Sequence, residues 1–363
     1  MQSNVPVFFA GVSSIDGYRS HLGEIYNPDD GWRAYIIKGG AGMGKSTMMK
    51  RVAHAMREAG VNVWYAPCPG DPDSFDAVVF PDIKACLMDA TAPHIVNPVY
   101  PEVCEVMINL GDCCDHNKIA DYADEIIAVS KQSDLLYSRA TRYIAATASL
   151  LADSYRVAVE ATDMRKAAEY GARLASRIMP RTGKRGVESE RFLSAVTPKG
   201  HIFLSDTLTS MCDRLVIVED EYGAASRAIM SAVRMTALEH GYDIITCACP
   251  FAPDEKPEHI IVPELRLGFT TQNHYLKLPC DERRIHSRRF TSAAALSEHR
   301  QRLSFNRRAV RELINGTVST FAEAKALHDS IEDYYIDCMD FDTVEQRTKI
   351  ITDELLARIS RRS

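Results

Sequence analysis

The order of apolar and polar residues predicts short buried strands that alternate with amphipathic helices. Residues 35–37 form an apolar run that is typical of a buried strand. After a glycine-rich stretch, apolar side chains return at helical spacing, at Met48, Met49, Val52, Ala53 and Met56. Residues 215–218 and the segment after them repeat this order of strand, loop and helix. Such alternation predicts an α/β fold with mostly parallel sheets.

Two longer segments, 117–179 and 291–360, carry apolar residues at a spacing close to seven. The repeating positions are Leu136, Tyr143, Leu150, Val157 and Met164 in the first segment, and Leu303, Val310, Ile314 and Phe321 in the second. This spacing predicts long helices that pack side by side. We expect a helical appendage on each α/β half that closes the core or pairs the halves. The alternative is a lid or an arm that binds a partner protein.

The sequence also overlays itself after a shift of 181 residues. The shift places Gly42 on Gly223, Met49 on Met230, and the Cys-Pro pair at 68–69 on another Cys-Pro pair. A period of this length indicates a duplicated domain rather than a short structural repeat. The predicted division is a first domain at 1–116, a helical appendage at 117–180, a linker at 181–190, a second domain at 191–290 and a C-terminal helical appendage at 291–363.

Composition and charge exclude several classes of protein. The 363 residues have a net charge of -6 without a dense block of lysine and arginine, which argues against a nucleic-acid partner. No apolar stretch reaches the roughly 20 residues of a membrane helix, and the N-terminus lacks a secretory signal. The ten cysteines are scattered, so we expect reduced thiols in a cytoplasmic protein. Cys104, Cys113 and Cys114 with His116 match no standard zinc spacing, which favours buried thiols.

The glycine-rich stretch after the first strand carries the pattern G-x-x-x-x-G-K-[ST], which is typical of a P-loop. Glycines let the backbone curl so that successive N–H groups point at one anion, and the following helix N-terminus adds partial positive charge. The lysine of this pattern reaches the β- and γ-phosphates, and the hydroxyl ligates Mg²⁺. We therefore expect ATP and Mg²⁺ at this loop. The predicted nucleotide contacts are Gly39, Gly40, Ala41, Gly42, Met43, Gly44, Lys45, Ser46 and Thr47.

A magnesium-bound nucleotide needs a second anionic group, normally an aspartate at the end of a neighbouring strand. The apolar run at 85–88 ends in Asp89. Ser46 and Asp89 are therefore the predicted Mg²⁺ ligands, and Asp89 joins Lys45 as a predicted catalytic residue. His94 follows five residues later and is interpreted either as a sensor of the γ-phosphate or as a structural histidine.

Acidic residues also follow the next predicted strand. Ligands of open α/β sheets lie at the carboxyl ends of strands, so the acids in this loop would face the phosphates. One of Asp71, Asp73 and Asp76 is predicted to be catalytic by orienting a water or an acceptor hydroxyl. The alternative is turn and helix-capping chemistry, for which Asp and Pro are equally well suited.

The second copy of the pattern lacks the groups that hold phosphate. The shift of 181 residues replaces Lys45 by Ser226 and Ser46 by Arg227, and it places acids at 219–221. Like charges at contact distance are unfavourable, so we expect no ordinary ATP site in the second half. Arg227 is interpreted either as an arginine finger for the first site or as a surface arginine.

Four stretches together resemble a bacterial family of tandem P-loop proteins that are known only as predicted ATPases, ATP-binding proteins or nucleotide kinases. They are the pattern at 39–46, CPGDPDSFD at 68–76, DATAPH at 89–94 and AVTPKG at 195–200. In that family both halves generally carry a P-loop, whereas here only the first does. The resemblance implies two P-loop NTPase-like domains and ATP binding, without a settled substrate.

Three functions follow from these expectations. The first is an Mg-ATP phosphohydrolase with one competent site and a silent second site. The second is a kinase that moves the γ-phosphate to a small acceptor near residues 67–76. The third, from another class, is a nucleotide-gated switch or scaffold with little hydrolysis, whose helical arms bind a partner protein.

Overall fold

The computed structural model describes residues 5–278 and 282–360, so the predicted domain limits at residues 1 and 363 lie outside the described residues. Within the described part, two mixed β-sheets are flanked by helices, and long helices join the two halves of the chain. The predicted α/β fold class is therefore confirmed. None of the described helices is long and apolar enough to cross a membrane.

The first half begins with a hairpin of β1 (Gly11–Ser14) and β2 (Gly17–Ser20). Its sheet is built from β3 (Arg33–Lys38), β4 (Trp64–Pro67), β5 (Phe75–Phe80), β6 (Ala85–Asp89) and β7 (Glu105–Asn109). The order is β4-β5-β6-β3-β7, and β5 runs antiparallel to its neighbours. Helix α1 (Lys45–Glu58) connects β3 to β4 and buries its predicted apolar face.

Helices α2 (His116–Ala120), α3 (Ala123–Glu160) and α4 (Met164–Ile178) lead to the second half. The second half contains β8 (Glu188–Arg191), a hairpin of β9 (Ser194–Thr197) and β10 (Gly200–Phe203), α5 (Ser205–Met211), β11 (Arg214–Glu219), α6 (Ala224–Glu239), β12 (Ile244–Cys249), β13 (Ala252–Val262), β14 (Leu267–Gln272) and β15 (Arg283–His286). Its sheet has the order β8-β12-β13-β14-β11-β15. β8 begins within the segment predicted as a linker, because it pairs in parallel with β12.

Apart from the edge strand β8, the two sheets have the same strand order and the same strand directions. A β-bulge shifts the pairing register at the same place in each sheet, at residues 66–67 in β4 and 247–248 in β12. In both sheets the bulge leaves one acid of the partner strand without a directly opposite residue. Asp76 in β5 and Glu258 in β13 therefore occupy equivalent positions.

The chain ends with α7 (Ala293–Glu298), α8 (Arg300–Cys338) and α9 (Phe341–Ser360). Helices α3 and α8 run antiparallel along each other. Asp153 binds Arg302 near one end of the pair, and Tyr137 contacts Phe321 farther along it. A helix of 38 residues such as α3 spans about 57 Å at 1.5 Å per residue, which is long enough to carry the chain from one half to the other.

Each helical appendage reaches across to the opposite half, which differs from the expectation that it belongs to the half it follows. Helix α4 packs on α6 of the second half, where Gly171 lies against Ile229. Helix α9 packs on α1 of the first half, where Arg51 binds Glu345. The helices therefore pair the two halves, as one of the sequence interpretations expected.

The buried stripe of α3 consists of smaller residues than the sequence pattern predicted. Leu136, Tyr143 and Leu150 are only partly buried. The fully buried stripe instead repeats every seven residues at Ser133, Ala140, Thr147 and Ser154. Small side chains let the two helix backbones approach closely, and hydroxyl groups can satisfy themselves on the helix itself, as Thr147 does on a carbonyl of the preceding turn.

Candidate functional site

The loop at residues 39–44 joins the end of β3 to the start of α1, which is the place predicted for it. Gly44 is the N-cap of α1 and has a φ of 90°, and Gly42 has a φ of 68°. A Cβ atom on Gly42 would lie 2.7 Å from the backbone oxygen of Glu332 in α8. Glycine is therefore required at position 42 both by the left-handed backbone and by the close approach of a helix from the other half.

Lys45 is the first residue of α1, and its side chain turns back over the loop. Its Nζ donates to the carbonyl oxygens of Gly39 and Gly40, each at 2.7 Å, and lies 3.6 Å from Oδ2 of Asp89. Both charged side chains are mostly buried. The loop carbonyls therefore hold an ammonium group at the mouth of the loop, beside a carboxylate from the adjacent strand.

The strand register brings Ser46 and Asp89 to the same edge of the sheet. Asp89 is the last residue of β6, which pairs in parallel with β3, and it lies beside Ile37. The Oγ atom of Ser46 accepts from the backbone N–H of Phe75 at 3.2 Å. A hydroxyl and a carboxylate are the hard oxygen ligands that Mg²⁺ prefers. The two predicted metal ligands are therefore of the right kind and flank Lys45.

Thr91 connects the loop to β6 from the other side. Its hydroxyl donates to the carbonyl oxygen of Gly39 at 2.9 Å, and its backbone N–H donates to Oδ1 of Asp89 at 2.8 Å. Thr91 thus fixes the start of the glycine loop relative to the predicted metal ligand. The sequence analysis did not single out this residue.

The three predicted acids of the following loop lie in different environments. Asp73 is largely exposed and binds Lys199 at 2.5 Å, and this bond holds the pKa of its carboxyl below the usual range. Asp71 lines the cavity at the loop and accepts from Ser74 at 2.6 Å, and its Oδ1 lies 3.6 Å from Lys325. Asp76 lies in β5, not in a loop, because the strand begins at residue 75.

Asp76 belongs to a buried cluster with Tyr18, Cys68 and His94. Its Oδ1 lies 3.3 Å from Nε2 of His94, and its Oδ2 accepts from the hydroxyl of Tyr18 at 3.3 Å. Burial raises the pKa values of Asp76, Cys68 and Tyr18. The sequence analysis considered His94 and Asp76 but missed Cys68 and Tyr18. The repeated Cys-Pro pair at 68–69 was the one signal that pointed to Cys68.

A cavity of about 960 Å³ connects these groups. Its floor is formed by the 41–48 segment and by the ends of β4 and β6, and its opposite wall by the long helices. The helical wall includes Tyr137, Phe321, Lys325, Glu332 and Phe341. Sequence periodicity predicted these helices but gave no means to decide that they would face the glycine loop.

The corresponding loop of the second half is shorter and is closed by one of its own acids. It comprises residues 220–223, and Gly223, with a φ of 83°, is the N-cap of α6. Oδ2 of the buried Asp220 accepts from the backbone N–H of Ser226 at 2.8 Å, and its Oδ1 accepts from that of Tyr222 at 3.3 Å. A carboxylate therefore caps the helix N-terminus where an anion would bind.

This geometry changes the correspondence that the shift of 181 residues suggested. Because α6 begins two residues earlier than the shift predicts, the structural counterpart of Gly44 is Gly223 rather than Ala225. Arg227 lies on α6, stacks on Tyr155 at 3.9 Å and binds Glu255 at 2.9 Å. It lines a separate cavity of about 470 Å³ in the second half rather than the cavity at residues 39–46.

The cysteines found in the described residues are free, and those at 104, 113 and 114 are buried as expected. Cys280 lies outside the described residues. No protein-family model, curated protein or solved structure matches this chain. The site is therefore interpreted from its own geometry.

Proposed function

We propose that the first half binds a nucleoside triphosphate with Mg²⁺ at residues 39–46 and Asp89, and that the protein is a P-loop ATPase with one competent site. The observation that carries the proposal is the position of Lys45. It stands on the N-terminus of a helix after a six-residue glycine-rich loop, with Nζ held by loop carbonyls and 3.6 Å from Asp89.

Each group has a separate task in this proposal. The backbone N–H groups of the loop and the N-terminus of α1 would hold the phosphate oxygens. Lys45 would exchange its carbonyl partners for the β- and γ-phosphates, and Ser46 and Asp89 would hold Mg²⁺. Bound Mg²⁺ neutralises charge on the phosphates and orients them for displacement.

Asp71 is the best placed of the three acids to orient an attacking water. It lines the cavity at the loop, and its Oδ1 accepts no hydrogen bond from the described residues. Asp73 is engaged at the surface with Lys199, and Asp76 is engaged in the buried cluster. We therefore infer that Asp71 supports hydrolysis and that Asp73 does not.

We further propose that both halves derive from one duplicated P-loop-like domain. The support is the shared strand order, the bulge at the same register and a glycine N-cap with positive φ before each crossover helix. The second half would then be a silent copy, because Asp220 holds the anion position with its own carboxylate.

A nucleotide-gated switch is the second candidate function, and one observation favours it. The glycine loop touches α8, since Gly42 lies against Glu332 and Gly40 against the ring of Tyr335. A phosphate that reshapes the loop would therefore act directly on a helix that continues to the second half.

Titration of the purified protein with ATP and with GTP, each with Mg²⁺, tests the binding site. Lys45→Ala should abolish binding, because it removes the cation that faces the phosphates. Lys84→Ala is the matched control, since Lys84 binds Asp30 on the surface of the same half. Unchanged affinity of Lys45→Ala would refute the site assignment.

Phosphate release then separates the functions. An ATPase releases phosphate from ATP alone, a kinase only when an acceptor is added, and a switch binds without turnover. Asp71→Asn should slow release by about 100-fold, the lower range of general-base effects, with binding retained. Asp73→Asn should release phosphate at the wild-type rate. Equal slowing in both variants would contradict the role given to Asp71.

A further inference from the structure

Three side chains of the buried cluster are of the types that bind transition metals. Cys68, Asp76 and His94 each offer one ligand atom, and these three atoms lie within 4.8 Å of one another. Asp76 and His94 are almost fully buried, and a further ring nitrogen of His94, Nδ1, has no hydrogen-bond partner among the described residues. The cluster therefore presents sulfur, oxygen and nitrogen donors around one point.

The surroundings hold two of these donors in place. Tyr18 donates to the oxygen of Asp76 that faces away from His94, and the ring of Tyr18 packs edge-on against the ring of His94 at 4.7 Å. Metal ligands are commonly oriented by a second layer of partners of this kind. All three donors also line the cavity that contains the glycine loop, so a fourth position would be open to that cavity.

The second half shows what an occupied version of this cluster looks like. Cys249 and Glu258 are the counterparts of Cys68 and Asp76 by the matching strand register. Between them lies the ammonium group of Lys256, 2.5 Å from Oε1 of Glu258 and 3.9 Å from Sγ of Cys249. The second half thus places a resident cation between the thiol and the carboxylate.

The first half has no such resident cation at the corresponding position. By the same register, the counterpart of Lys256 is Ser74, whose hydroxyl donates to Asp71. Although burial opposes ionisation of Glu258, Lys256 lowers its pKa, whereas burial raises the pKa of Asp76 despite the nearby His94. A buried carboxylate and thiol without a full positive charge are unfavourable as anions, and a cation would stabilise both.

We propose that Cys68, Asp76 and His94 form a three-ligand site for a divalent transition metal of the zinc class, with its open position facing the cavity beside the glycine loop. Thiolate and imidazole donors select such a metal over Mg²⁺, which prefers oxygen ligands. Three protein ligands with one open position are the arrangement of catalytic rather than structural zinc. The site is separate from Ser46 and Asp89 and does not depend on a bound nucleotide.

Zinc binding to the full chain without nucleotide tests the proposal. We expect the chelator-treated protein to take up one Zn²⁺ per chain in excess Mg²⁺, as measured by competition with a chromophoric chelator and by metal analysis. Co²⁺ at the same site should give a sulfur-to-metal charge-transfer band. Cys68→Ser and His94→Gln should each weaken Zn²⁺ by at least about 100-fold, the upper range for loss of a supporting partner alone.

Two further variants separate the site from general effects on folding. Ser74→Lys should prevent Zn²⁺ binding while circular dichroism and the melting temperature stay close to wild type, because it supplies the ammonium that the second half already has. Cys249→Ser removes the equivalent thiol and should bind Zn²⁺ as tightly as wild type. Lys45→Ala should also keep Zn²⁺, so failure of the nucleotide proposal would not affect this result. Wild-type protein that takes up no Zn²⁺, or Cys68→Ser protein that binds it with wild-type affinity, would overturn the proposal.

Discussion

Replacing Asp220 tests whether its carboxylate holds the N-terminus of α6 in place of an external anion. The carboxylate is buried and accepts from the backbone N–H groups of Ser226 and Tyr222. Loss of a capping carboxylate costs about 1 kcal/mol, and a buried N–H left without a partner costs about 1–3 kcal/mol. Because these values describe the same interaction, we expect Asp220→Ala to lower the free energy of unfolding by about 2 kcal/mol. Asp220→Asn keeps one acceptor oxygen and should cost about half as much.

Hydrogen exchange at the Ser226 amide measures this contact directly. A loss of about 2 kcal/mol corresponds to exchange that is about 30-fold faster, since 1.4 kcal/mol is a factor of ten. Asp213→Ala is the matched control, because Asp213 forms an exposed ion pair with Arg266 and should have little effect. Sulfate should restore more stability to Asp220→Ala than to wild type, since it can occupy the vacated position. Unchanged protection of the Ser226 amide in Asp220→Ala would refute the reasoning.

Other substitutions test contacts at the glycine loop, between helices and in the second sheet. Thr91→Val removes the bond to Gly39 and should weaken Mg-ATP by about fivefold, equivalent to about 1 kcal/mol, in the binding titration; unchanged affinity would contradict this. Gly171→Ala places a Cβ atom 2.6 Å from the backbone oxygen of Ile229, so overpacking of about 1–3 kcal/mol should exceed the gain of about 1 kcal/mol in helix propensity; a rise in the urea midpoint would contradict it. Burial lowers the pKa of His259 to about 4, from 6.5. As the pH falls through this interval, the unfolded chain takes up a proton that the folded chain refuses, so the wild type should lose about 3 kcal/mol that His259→Leu does not lose. Parallel pH dependences of urea unfolding would show that His259 does not titrate in this way.

The sequence was informative where function depends on short spacing. The fixed intervals of the 39–46 pattern placed Lys45 and Ser46 at the start of a helix, and that helix begins at residue 45. Asp89 was predicted correctly as the end of a neighbouring strand, because an apolar run that ends in an acid marks the carboxyl end of that strand. Parallel pairing then brings the two segments to one edge of the sheet.

The features that the sequence did not reveal depend on long-range choices. Helical periodicity marks the buried face of α9, but it does not say that this face packs on α1 of the opposite half. The shorter second loop was hidden because α6 starts earlier by the same two residues, so the shift of 181 holds on both sides of it. The bulge that separates Asp76 from the loop acids changes the register by one residue, which no alternation pattern at 71–80 indicates.

The two halves differ at the same two places, and both differences replace an external ion by a side chain. Asp220 supplies a carboxylate at the helix N-terminus of the second half, where the first half has the open loop at 39–44. Lys256 supplies an ammonium at the buried thiol and carboxylate, where the first half has Ser74. A half with built-in charges keeps its stability at any ligand concentration, whereas a half that must take up ions gains stability only when they bind. On our proposals, nucleotide and metal would therefore stabilise the first half selectively, with the second half acting as a ligand-independent base for the helices that pack on the glycine loop.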